Sequence, residues 1–105
     1  MSCRFAPLVA AGLLLSAAGP AAAADPTQGR LLAKQWCTSC HVVEPDGPAV
    51  EVGPTFASVA NDPAMTPERL RGWLADPHPP MPNLNLSRLE IDAIVAYIES
   101  LRSPQ

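Results

Sequence analysis

Of the thirteen prolines in this 105-residue chain, Pro7 and Pro20 lie in an N-terminal apolar segment and the other eleven are spread from Pro26 to Pro104. Proline donates no backbone hydrogen bond and interrupts a helix interior, so this spacing cuts the chain into short pieces. Three pieces are long enough to be helical, and none alternates apolar and polar residues for long enough to make a strand. The expected fold is one all-α domain over residues 25–105, without repeats, made of three main helices and connecting loops.

Each helix carries its own start signal. Asp25-Pro26 supplies an N-cap residue followed by proline at the first helical position, and helix one runs through Leu31, Leu32 and Trp36 toward Cys37. Thr66-Pro67 repeats that signal, with Met65 and Leu70 at the two positions of a hydrophobic staple, and helix two ends by Pro77. Ser87-Arg88-Leu89-Glu90 is a capping box, with Leu86 and Ile91 as its staple. Ile91, Ile94, Ile98 and Leu101 then form one apolar stripe, while Arg88, Asp92, Glu99 and Arg102 fall largely off it. Such a stripe has to bury itself against another helix. Between Val42 and Met65, Gly47, Gly53 and four prolines read as an ordered loop or short turns wrapped around something.

The N-terminus has Arg4, an uncharged run from Phe5 to Ala18, and then small residues ending in Ala22-Ala23-Ala24. This is the pattern of a secretory signal peptide over residues 1–24, and it implies export with no stable membrane anchor. Cleavage after Ala24 would remove Cys3 and Arg4. Six basic residues then face ten acidic ones, with Lys34 the only lysine. Nucleic acid and anionic membranes need clustered positive charge, so both are excluded as partners. A domain this short buries too little surface to be stable by side chains alone, and a cofactor in its middle is expected.

Cys37-Thr38-Ser39-Cys40-His41 says which cofactor. C-x-x-C-H is the pattern of covalent c-type haem attachment. Each thiol adds to one vinyl group, and the adjacent imidazole then lies beneath the ring, directed at the iron. A redox dithiol would expect a βαβ setting, and a structural zinc site would need four ligands. Neither is found here. The expected cofactor is one haem c, held through Cys37 and Cys40 with His41 as a ligand. For the sixth position there are Met65, His78 and Met81. Met65 is accounted for as a staple; Met81 sits in His78-Pro79-Pro80-Met81-Pro82, where prolines restrict the backbone on both sides. Met81 is the favoured ligand, His78 its rival on the same loop, and an open site the third reading.

Beyond the haem motif, the chain resembles the class I cytochromes c, specifically the short bacterial periplasmic kind, over essentially all of residues 25–105. Gly29, eight before Cys37, matches the glycine at which the family's first and last helices cross, and Ile94-Val95-Ala96-Tyr97-Ile98 looks like its last-helix segment. Gly53-Pro54 is similar to the family's G-P turn, which implies that the Pro54 carbonyl accepts a hydrogen bond from His41 and raises its basicity. The resemblance also places Trp73 near the haem and the sixth ligand. The aromatic that the family has four residues after its helix-one glycine is Ala33 here, so a smaller helix contact is expected, with Trp36 or Phe56 to compensate. The lysine ring of mitochondrial relatives is missing.

The resemblance implies a one-electron carrier rather than an enzyme, working between a redox protein donor and acceptor as a monomer or as a subunit of a redox complex. A dedicated cytochrome subunit of a periplasmic dehydrogenase is the nearest alternative. A haem ligand sensor or peroxidase with an open sixth site is the next.

Overall fold

A computed structural model describes residues 1–3, 12, 19, 23–76 and 78–104. The expected leader over residues 1–24 therefore lies largely outside the described residues. Among the described residues there are four helices and no strand: α1 Pro26–Trp36, α2 Phe56–Asn61, α3 Pro67–Ala75 and α4 Arg88–Ser100. The all-α expectation holds. None of these helices is long and apolar enough to cross a membrane.

Their starts follow from the side chains at their caps. Asp25 accepts from the Thr27 amide, Thr66 from Arg69 and Ser87 from Glu90, each covering an N–H that has no partner inside its helix. The Ser87–Glu90 capping box is complete, because the Glu90 carboxylate also accepts from the Ser87 amide at 2.7 Å. The segment 42–65 holds one element that the sequence pattern did not mark. Thr55 caps α2 by accepting from Ser58 at 3.0 Å, and this helix turns the chain for only six residues.

The framework is α4 packed most extensively against α1, with α3 and α2 adding smaller contacts to α4. Ile91, Ile94 and Ile98 are buried along the predicted stripe, with Leu101 packed at its end. At roughly 1.5–3 kcal/mol for each large side chain removed from water, this stripe is the main apolar contribution of α4. Gly29 and Ala33 form the floor on which it lies. Ala33 is fully buried, and a Cβ added to Gly29 would stand only 1.9 Å from the Ala93 carbonyl oxygen. Phe56 at the start of α2 adds aromatic volume to the core, buried with its ring centroid 6.5 Å from that of Tyr97. Trp36 does not share this task, being 51% exposed.

Tyr97 ties α4 to the loop after the cysteines. Its hydroxyl donates to the buried Val43 carbonyl at 2.6 Å. Next door, Glu44 pairs with Arg30 and, at 3.5 Å, with Lys34 on α1. The Arg30 hydrogen bond, more than its charge, holds the Glu44 carboxyl below its ordinary range. Burial first, and Glu44 second, raise the Tyr97 phenol above its usual value, while Arg30 opposes them. Tyr97→Phe leaves the Val43 carbonyl without a partner and is expected to cost about 1–3 kcal/mol in denaturant unfolding. In the parent protein the phenol's contribution is complete below about pH 10, the unfolded value, and is lost as pH rises through the higher folded value. The Tyr97→Phe penalty should therefore shrink in strong alkali; a penalty independent of pH would contradict this account.

Candidate haem site

The C-terminal end of α1 delivers both cysteines. Cys37 caps that helix, its amide donating to the Ala33 carbonyl, and the next turn is closed by the Cys40 and His41 amides, which both donate to the Cys37 carbonyl at 3.2 and 2.9 Å. This tight turn folds the C-x-x-C-H segment back on itself. The two thiols are not joined in a disulfide. Burial, with Cys40 adding to it, pushes the Cys37 thiol up to about 11. A reactive dithiol is favoured by the opposite shift, toward thiolate at neutral pH.

His41 is held by the loop across from it. Its Nδ1 lies 2.7 Å from the Pro54 carbonyl oxygen, an acceptor only, so Nδ1 carries the proton and donates. Nε2 is left as the nitrogen with a free lone pair. The neighbouring Gly53 amide donates to the Cys40 carbonyl at 2.8 Å, which brings the backbone so close that a Cβ on Gly53 would lie 2.7 Å from His41 Cε1. Glycine is required there for space. Phe56, two residues beyond Pro54, sets its ring centroid 5.4 Å from that of His41.

These groups border two adjoining cavities of about 250 Å³ each. Cys37, His41, Pro54, His78 and Met81 line both. The first is completed by Cys40, Trp36 and Val52 among others; the second by Phe56, Met65, Leu70 and Trp73. Every site residue expected from the sequence thus lines one or both of these cavities. Met65, read only as a staple, packs against the core and also lines a wall. Sequence reasoning passed over Val52 as a wall residue and gave Trp36 no place there. Trp36 adjoins Cys37 in the chain, a proximity that would have found it.

The loop after α3 forms the remaining wall. The Met81 amide donates to the His78 carbonyl at 2.7 Å, closing a turn that sets residues 78 and 81 side by side. Trp73, at the end of α3 and 40% exposed, meets the His78 ring edge-on with centroids 3.8 Å apart. His78 Nδ1 is buried and has no hydrogen-bond partner among the described residues.

A planar apolar group with a metal centre fits these surroundings: the walls are mostly hydrocarbon, two thiols stand at one end, and a free imidazole nitrogen and a thioether border the same space. No cluster of three or more His, Cys, Asp or Glu suited to a bare metal ion occurs among the described residues. Fold and site together define a c-type haem protein. The chain belongs to the class I cytochromes c of the small bacterial kind: residues 24–98 match the family described as cytochrome c oxidase, cbb3-type, subunit III. It is 52% identical over 89 residues to cytochrome c-552 of Bradyrhizobium diazoefficiens, an overlap covering 83% of this chain and 85% of that protein. No solved structure matches it. The cofactor is haem c, covalently bound through Cys37 and Cys40, and the function is electron transfer with redox partners.

Proposed function

We propose that the protein is a periplasmic one-electron carrier with His41 and Met81 as its axial ligands, and not an enzyme in its own right. The observation that supports this most directly is the His41 Nδ1–Pro54 hydrogen bond, made at the edge of a cavity that Met81 also lines. Haem c, when bound, supplies a one-electron Fe(III)/Fe(II) couple. The chain's own residues do the rest. Cys37 and Cys40 fix the group by thioether bonds, which prevents its loss from a fold too small to enclose it. His41 presents Nε2, and the Pro54 carbonyl fixes the ring's tautomer and raises its basicity. Met81 offers a soft sulfur on a proline-stiffened turn, which favours the reduced state. Trp73, Phe56 and Leu70 keep water from the wall nearest α3, lowering the local dielectric. The apolar leader over residues 1–24 supports export, and the acidic balance supports protein donors and acceptors over nucleic acid.

The visible spectrum of the haem-loaded protein tests this reading. The weak ferric band of sulfur-to-iron coordination should be present, and the ferrous protein should ignore carbon monoxide. If the band is missing and carbon monoxide binds readily, the sixth site is open and the chain belongs with haem ligand sensors or small peroxidases.

A second reading keeps the chemistry and changes the setting. The matched family is named for an oxidase subunit, which favours a chain that works as the cytochrome subunit of a larger redox complex, whether an oxidase or a periplasmic dehydrogenase. A subunit would elute with its enzyme when periplasmic extract is fractionated by size; a free carrier would elute alone.

A further inference from the structure

His78 lines the site, and the proposed function leaves it without a task. Its Nδ1 is buried against the protein with no hydrogen-bond partner among the described residues, and an unmet buried polar atom is costly. Its ring stands perpendicular to that of Trp73 with centroids 3.8 Å apart, and an aromatic ring is at best a weak acceptor for an N–H. Its other nitrogen, Nε2, makes no hydrogen bond to the described residues. That ring borders both haem cavities, as Met81 does. The turn closed from the Met81 amide to the His78 carbonyl fixes the two side chains as neighbours on one short, proline-rich segment.

We propose that His78 is a reserve axial ligand: when the Met81 sulfur leaves its position, the His78 imidazole takes it. The exchange breaks one sulfur-to-iron bond and forms one nitrogen-to-iron bond through Nε2, with no electron gained or lost. Trp73 holds the ring in waiting at the cavity wall. The turn keeps the distance to be covered short, so the swap needs a local adjustment of residues 78–81 and no unfolding of α3 or α4. The inference rests on Met81 being the ligand of the resting protein.

The test compares four haem-loaded proteins: parent, Met81→Ala, His78→Ala and the double variant. The parent and His78→Ala should both show the ferric sulfur-to-iron band. Met81→Ala should lose that band yet remain low-spin in its electron paramagnetic resonance spectrum, and its ferrous form should resist carbon monoxide. The double variant should be high-spin and bind carbon monoxide readily, and added imidazole should restore its low-spin spectrum, which shows that the pocket is intact. His78→Gln with Met81→Ala serves in its place if the double alanine variant does not mature. A high-spin, carbon-monoxide-binding Met81→Ala protein would overturn the reserve role of His78 while leaving Met81 as ligand. A low-spin double variant would overturn it too. Loss of the band from the parent itself would instead remove the Met81 reading on which the inference rests.

Discussion

Gly29→Ala should be the most destabilising of the glycine-to-alanine changes in this protein. The new Cβ would sit 1.9 Å from the Ala93 oxygen and 2.4 Å from its carbonyl carbon, both backbone atoms of α4. No side-chain rotation relieves that contact; α1 and α4 have to move apart. The separation loosens the packing of Ile94, which is fully buried, and of Leu32 and Ile98. Overpacking of a tight core costs about 1–3 kcal/mol and occasionally more, and an unyielding backbone neighbour puts this site at the upper end. Alanine's better helix propensity returns only about 1 kcal/mol. Gly72 provides the control, since it lies in α3 with nothing within 4 Å of its would-be Cβ. Gly72→Ala should gain what helix propensity offers, ~0.5–1 kcal/mol. Denaturant unfolding of the two haem-loaded variants should therefore move in opposite directions. Equal shifts would show that the crossing at Gly29 does not limit stability.

The same glycine shows how much of the molecule could be read from its sequence. Local signals were legible because they act over a few residues: the Ser87–Glu90 capping box, the Pro26 and Pro67 starts, and the stripe of Ile91, Ile94 and Ile98 need nothing beyond their own helix. The covalent haem motif is equally local. The close approach of Gly29 to Ala93 came only through resemblance to a family, since spacing alone cannot say which helix lies opposite. Helix α2 escaped notice because six residues give too little periodicity to detect, and its cap, Thr55, stands just after a proline that reads as loop. Two exposures also ran beyond what the pattern could tell. Trp36 lies on the rim of a cavity instead of in the core, while Phe56, at the start of α2, is buried in the core. The edge-on contact of Trp73 with His78 joins the end of a helix to a loop beyond Pro77, so it depends on a chain path that no local rule fixes.

That path gives Met81→Ala its consequence for electron transfer. A thioether donates weakly and is soft, so it stabilises Fe(II) relative to Fe(III), and losing it should lower the reduction potential. Axial-ligand identity moves haem potentials over roughly 0.8 V in all, and a drop on the order of 100 mV or more is expected here. The direction is the same whether His78 or water fills the vacated position, because both favour the oxidised state relative to sulfur. The size separates this effect from a merely structural one. Met81 lies half-buried on the turn after α3, away from the α1–α4 contact, so the potential should fall by far more than the packing of that framework changes. His78→Ala, which leaves the sulfur in place, should hold the potential near that of the parent. Equilibrium redox titration of the three proteins decides the matter: an unchanged potential in Met81→Ala would rule out Met81 as the ligand, and a shift confined to His78→Ala would assign the coordination to the histidine instead.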